Sequence, residues 1–344
     1  MHNYRIFISY SHEDQKIVEK IVVHLEKFGM TPMWDKKFAF GYGFHEQIKT
    51  FIAHAHIFLP IITESASKRG WVHQEIGYAM ALNVPVLPIA VDALPGEMLQ
   101  QLHAIKIDKK LKNLGKYVSE NVFSNLIKRY QDQQFALYQS AELTEDRAIL
   151  LAQYSNDIIN MGYTGCVRQR GALSSFHIPD KPVSDPVWKL RYGKKEKSEF
   201  HCRLQRNERL ALEEHARKSG CKLIIYPEIS YRIYGPKARR IRLQTLMEFL
   251  ESMPDGKIQV AVTSMKDLSE NLIIVGDWFS AESVAGVINK GYRQTIFTRH
   301  APSMQNRIDL FDQEFDSLLK KDGLEAKTSR LAAIKRIKKI IASI

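Results

Sequence analysis

The stretch Gly70-Trp71-Val72-His73-Gln74-Glu75-Ile76-Gly77-Tyr78-Ala79 places an acid among groups that suit a bound cofactor better than a hydrophobic core. Trp71 and Glu75 are four residues apart, so a helix sets an indole and a carboxylate on one face, one turn above the other. Tyr78 follows, and Ala79-Met80-Ala81-Leu82 continue a helix-forming run that Asn83 and Val84-Pro85 close. Taken alone, the stretch also reads as a tryptophan packed on a sheet beside a glutamate on a solvated helix face.

The elements that must position this helix can be read in chain order. Arg5-Ile6-Phe7-Ile8-Ser9-Tyr10 is a compact apolar strand, and Ser11-His12-Glu13-Asp14 supplies cap candidates and acids for a first helical turn. Ile17, Ile21, Val22, Leu25 and Phe28 then recur at helical spacing until Gly29. Thr31-Pro32-Met33-Trp34 is a second strand, followed by a glycine- and aromatic-rich loop from Asp35 to Phe44. That loop reads either as a contact surface or lid, or as a segment folded onto its own domain. A helix resumes at His45, and His56–Ile62 and Val84–Val91 are nearly continuous apolar runs of the kind buried parallel strands show. The βαβαβαβ pattern predicts an open, mostly parallel sheet with helices on both faces, whose ligands sit beyond the carboxyl ends of the strands. The segments after Tyr10, Trp34 and Ile62 all lie at that edge.

Residues 1–135 resemble a TIR domain. The resemblance rests on Phe7-Ile8-Ser9-Tyr10-Ser11, the loop from Asp35 to Phe44 and Trp71-x-x-x-Glu75, in the order and spacing of that family. The string Trp71-Val72-His73-Gln74-Glu75-Ile76 is similar to the NAD-cleaving branch. That similarity implies a catalytic role for Glu75 and a substrate-binding role for Trp71, Tyr10 and His12. It also implies activation by association, with Phe38, Phe40, Tyr42 and Phe44 of one subunit completing a neighbour's pocket. One carboxylate suffices for such a reaction. Most glycosides need two, because the leaving oxygen must be protonated, whereas nicotinamide leaves NAD as a neutral ring from a cationic pyridinium. The site must then stabilise an oxocarbenium-like charge, which a preorganised carboxylate does, and hold the departing ring, which an indole does.

Composition restricts the alternatives. The 344 residues are 44% hydrophobic and 26% charged, ordinary for a globular chain of two domains. The N-terminus shows no signal-peptide pattern, and no apolar run approaches the roughly 20 residues of a membrane span. Cys166, Cys202 and Cys221 have no CxxC spacing, which argues against a disulfide framework and a zinc site and leaves a cytoplasmic protein with buried thiols as the expectation. The net charge is +12, and half of that excess falls in residues 320–344, where eight basic residues face Asp322 and Glu325.

After the first domain, Thr144-Glu145-Asp146 caps a helix that Gly162 ends, and residues 163–197 read as a long loop region. Strands are expected at Glu199–Leu204, Lys222–Pro227, Lys257–Val262, Asn271–Val275 and Arg293–Thr298, with helices at Glu208–Lys218, Pro236–Met253 and Pro302–Leu319. This order resembles half of a phospholipase-D-like fold. That family's His-x-Lys-x4-Asp motif, aligned on Asp277, would need His and Lys where this chain has Glu270 and Leu272, so the resemblance implies binding and not catalysis. Arg232, Lys237, Arg239, Arg240 and Arg242 form either a phosphate-receiving patch or a solvated helix face. Asp277 and His300 read as structural. Leu331, Ile334, Ile337, Ile341 and Ile344 give the tail a basic amphipathic helix, whose packing against its own protein or a neighbouring subunit outweighs membrane or nucleic-acid binding.

The expected class is α/β, with a flavodoxin-like parallel-sheet TIR domain (1–135), a connecting helix and loop region (136–198), a second C-terminal α/β domain (199–320) and a basic tail helix (321–344). The resemblance implies an oligomerising NAD glycohydrolase effector of bacterial antiphage defence, using NAD as substrate and no resident cofactor or metal. An unknown nucleotide, nucleic acid or protein would act on the C-terminal domain. A cyclic ADP-ribose product would use the same residues. A non-catalytic TIR adaptor and a nucleic-acid binder are the competing classes.

Overall fold

A computed structural model describes residues 3–34, 44–67, 70–92, 104–131, 138–171, 184–185, 188, 195–227, 235–263, 271–283 and 292–344. The chain divides into two compact units: residues 1–138 with 160–162 and 299–302, and residues 139–159, 163–298 and 303–344.

In unit 1, strands β1 (Arg5–Ser9), β2 (Thr31–Met33), β3 (Ile57–Ile62), β4 (Ile89–Val91) and β5 (Ile105–Ile107) form a parallel sheet of order β2-β1-β3-β4-β5. The expected strand over Val84–Val91 is regular only at its end, with Val86 making an isolated bridge to Phe58. Pro85 and Pro88 explain this, because neither donates to a ladder. The helices are α1 (Gln15–Lys27), α2 (Phe44–His54), α3 (Glu64–Ser67), α4 (Gly70–Ala81), α5 (Leu114–Tyr117) and α6 (Glu120–Gln131). Alternation along β1 sorts them into two layers. Tyr4, Ile6, Ile8 and Tyr10 join Val18, Ile21 and Leu25 of α1 and Phe123 and Ile127 of α6 in one core. Phe7 turns the other way, with its ring 5.6 Å from Phe51 of α2, and α4 lies beside α2 in that second layer.

Arg5 is buried at 1% exposure in this unit. Its guanidinium donates to the His54 carbonyl (2.9 Å), and its backbone N–H donates to Nδ1 of His56 (2.9 Å). Nε2 of His56 lies 2.8 Å from the Arg299 carbonyl, which fixes a neutral ring with its proton on Nε2. Burial, reinforced by the Arg5 charge, holds this imidazole well below its usual pKa.

In unit 2, β6 (Tyr138–Leu143), β7 (Val167–Arg170), β8 (Cys221–Ile225), β9 (Ile258–Val262), β10 (Leu272–Val275), β11 (Phe279–Ser283) and β12 (Tyr292–Thr298) form a seven-stranded mixed sheet of order β6-β12-β11-β10-β7-β8-β9. Strands β7, β8 and β9 are parallel, while β10, β11 and β12 follow antiparallel. The helices are α7 (Thr144–Asn160), α8 (Lys195–Ser219), α9 (Gly235–Ser252), α10 (Ala301–Lys321) and α11 (Ala326–Ser343). Within 136–198, read above as connecting helix and loop, β6, α7 and β7 are integral parts of this unit, and β7 is a central strand.

The strand expected at Glu199–Leu204 is the first part of α8. Its buried residues, Ser198, His201, Cys202, Gln205, Glu208, Ala211, Leu212, His215 and Ala216, recur every three or four positions. Much of that stripe is polar, so hydrophobicity alone conceals the period. One face of the sheet packs Ile224, Ala261, Leu272 and Ile274 against Phe311 and Phe315 of α10. There Asp312 accepts two bonds from Arg168 (2.9 and 2.8 Å) and one from Lys222 (2.9 Å). Helix α11 packs against β9, where Ser329 Oγ accepts the backbone N–H of Val260 (3.1 Å). Cys202 and Cys221 are buried and Cys166 is half-buried, and burial pushes the Cys166 and Cys221 thiols up.

Candidate active site

Helix α4 carries Glu75 on its buried side, with Val72, Ile76 and Ala79. Trp71, one turn nearer the helix start, is half-buried on the same face. Glu75 is 8% exposed, and its Oε2 accepts a 2.5 Å hydrogen bond from Ser9 Oγ at the carboxyl end of β1. Among the described residues Oε1 has no hydrogen-bond partner. Burial pushes the Glu75 carboxyl up to about 7, against the opposing pull of the Ser9 hydroxyl.

Ser9 was not among the residues singled out above. Strand alternation is the signal that finds it: Phe7 and Ser9 share a face, and Phe7 already points to the α2 and α4 layer. The same alternation turns Tyr10 away from Glu75. Tyr10 packs in the opposite core, 6.1 Å from the Trp34 ring. His12 is exposed and lies edge-on to Tyr10 at 6.3 Å. The structure therefore joins Glu75 to Ser9 and sets Trp71 beside them, whereas Tyr10 and His12 form a separate aromatic group. Phe38, Phe40 and Tyr42 lie outside the described residues.

Two further groups shape the edge of the sheet. Asp14, offered above as a helix cap, makes no such bond. Its Oδ2 instead accepts from Thr63 Oγ1 (2.7 Å), which itself accepts from the Ala66 N–H (3.1 Å). This clip ties the segment after β1 to the segment after β3. Ser11, fully buried between Ser9 and Asp14 in sequence, has a hydroxyl without a hydrogen-bond partner among the described residues.

The basic cluster is not a single solvated patch. Arg242 is buried, Arg240 is exposed, Arg239 donates to the Pro227 carbonyl (3.1 Å), and Arg232 lies outside the described residues. Among the described residues no group of three His, Cys, Asp or Glu side chains is placed to hold a metal ion, and no helix is long and apolar enough to cross a membrane.

Residues 6–117 match the family model of the TIR domain, so the N-terminal unit carries that domain. No curated protein matches the chain. Among solved structures, one similar to it is described as TrmBL2, an archaeal chromatin protein with a novel mode of DNA binding. The two are 7% identical with a TM-score of 0.31, over 60% of this chain and 63% of that one. The chain thus spans less than two thirds of that structure, and a likeness so low says nothing of fold or function.

Proposed function

We propose that the protein is an NAD glycohydrolase that cleaves the bond between nicotinamide and ribose, with Glu75 as the catalytic carboxylate. The observation that carries this reading is the buried Glu75, held through one oxygen by Ser9, one helical turn from Trp71, within a TIR domain. Bond breakage releases neutral nicotinamide and leaves positive charge on the ribose. The Glu75 anion faces that charge in a poorly solvated setting, where its interaction is strongest. Ser9 fixes Oε2, so Oε1 is the oxygen that meets the ribose. The cationic pyridinium of bound NAD also favours the ionised form of a carboxyl that otherwise titrates near 7. Trp71 supplies an aromatic face for a flat cationic ring. Water captures the oxocarbenium to give ADP-ribose, and capture by the substrate's own adenine would give a cyclic product from the same residues. Self-association through TIR domains, with unit 2 receiving the activating cue, sets when the site works.

The test is nicotinamide release by concentrated full-length protein under crowding, and by the TIR unit fused to a forced oligomer, each beside Glu75→Ala. Release lost only in the variant supports the enzyme. Silence of both the full chain and the forced oligomer refutes it in favour of an adaptor.

A further inference from the structure

We infer that unit 2 contains a binding site for a small molecule bearing vicinal hydroxyl groups, built from Asn271, Ser283, Thr295 and Glu145 at one end of one sheet face. The first three form a row across adjacent strands. The Ser283 N–H donates to the Asn271 carbonyl (2.9 Å), and Ser283 stands opposite Thr295 in the β11–β12 ladder. Residues directly opposite one another share a face. All three are more than nine-tenths buried, at 6%, 2% and 0% exposure. Among the described residues, Asn271 Oδ1, Ser283 Oγ and Thr295 Oγ1 have no hydrogen-bond partner.

Helix α7 covers this face. Tyr154 lies edge-on to Phe279 (5.5 Å) and Phe297 (5.7 Å), which share the parity of Ser283 and Thr295 along their strands. A bond from Gln294 to Glu142 (3.0 Å), on the face opposite Thr295, sets the end of β6 beside the start of β12, so α7, which follows directly, starts from that end of the sheet with Glu145 in its first turn. Oε1 of Glu145 lies 3.1 Å from Nε2 of His201 on α8, and its buried Oε2 has no partner among the described residues.

Buried polar atoms are nearly always paired, so four in one neighbourhood call for a partner of complementary chemistry. They also stand at the edge where parallel strands β7, β8 and β9 end and antiparallel β10 begins, the edge at which open sheets bind ligands. The atom types select the ligand. Asn271 Oδ1 and Glu145 Oε2 only accept, while the two hydroxyls both accept and donate. A diol offers donors and acceptors on neighbouring carbons and meets all four. A phosphate would face Glu145 with like charge, and an apolar ligand would leave every atom unpaired.

The test is calorimetric titration of the full-length protein with two probes at millimolar concentration, adenosine for a nucleoside ribose and D-glucose for a free sugar. Saturable binding of at least one is expected, and the probe that binds identifies the source of the diol. Thr295→Val and Ser283→Ala each remove a hydroxyl that has no hydrogen-bond partner among the described residues, so both variants are expected to fold, which the melting transition checks, and each weakens binding about tenfold, as loss of one buried hydrogen bond does. Absence of saturable binding by both probes overturns the proposal, as does binding that neither substitution changes.

Discussion

Replacing Ser9 with alanine tests whether the carboxylate is tuned from β1. The Ser9 hydroxyl donates to Glu75 Oε2 over 2.5 Å, and such a bond stabilises the ionised acid, opposing the burial that raises it to about 7. A hydrogen bond to a charged group is worth about 1.5–3 kcal/mol. Its loss, at the low end of that range, moves the protonation equilibrium about tenfold toward the neutral acid. Near neutral pH the ionised fraction of Glu75 in the free enzyme then falls from about one half to about one tenth, and nicotinamide release at sub-saturating NAD falls about fivefold. At a pH well above both midpoints the variant recovers the wild-type rate. The assay is the pH profile of NAD cleavage by wild type and Ser9→Ala, together with carbon-13 carboxyl titration of Glu75, which reads the same shift without turnover. An unchanged midpoint with a lowered plateau would refute the reasoning and reduce Ser9 to a packing residue, and a midpoint displaced to lower pH would contradict its sign.

Two other predictions concern stability. Glu75 has a folded pKa of about 7 against an ordinary value of 4.5, so the unfolded chain ionises first as pH rises between those values, and the fold loses stability across that window. Glu75→Gln, which keeps the shape and the Ser9 bond, should therefore exceed wild type by about 3 kcal/mol above the window and match it below; denaturant melts at both ends check this, and equal stability at high pH refutes it. At Gly165, an added Cβ would lie 2.6 Å from the Gly276 nitrogen and 2.7 Å from its Cα. Gly165→Ala should cost unit 2 about 1–3 kcal/mol through forced backbone separation, visible as a lowered melting transition.

Much of the TIR sheet was legible because β1 and β3 are buried on both faces and read as apolar runs, as His56–Ile62 does, whereas the edge strand β5, with Lys106 exposed in its middle, shows no such run and was not read as a strand. Glu75 and Trp71 were legible because helical spacing fixes their common face. Ser9 was hidden, since a strand-end serine is unremarkable until the helix facing it is known, and Tyr10 was assigned to the site because its position in the motif does not reveal which way it points. Unit 2 was harder for the opposite reason. Its polar core breaks the apolar period of α8, β11 reads Phe-Ser-Ala-Glu-Ser, and β6 buries Ala141 alone among its six residues. Secondary structure there follows from pairing between distant segments, which one-dimensional pattern does not record.

The Ser329 bond to Val260 gives the basic tail a protective role. Strand β9 ends the seven-stranded sheet, and a terminal strand offers its unpaired amides as a template on which another chain can add. Ser329 satisfies one of those amides, while Ala333, Ile334 and Ile337 bury the apolar side of the same helix. Arg330 and Lys338 pair with Asp255 and Glu251 and pin the helix in place. Shortening the chain before Ala326 would bare that margin and leave β9 as an uncovered edge to which another chain can add.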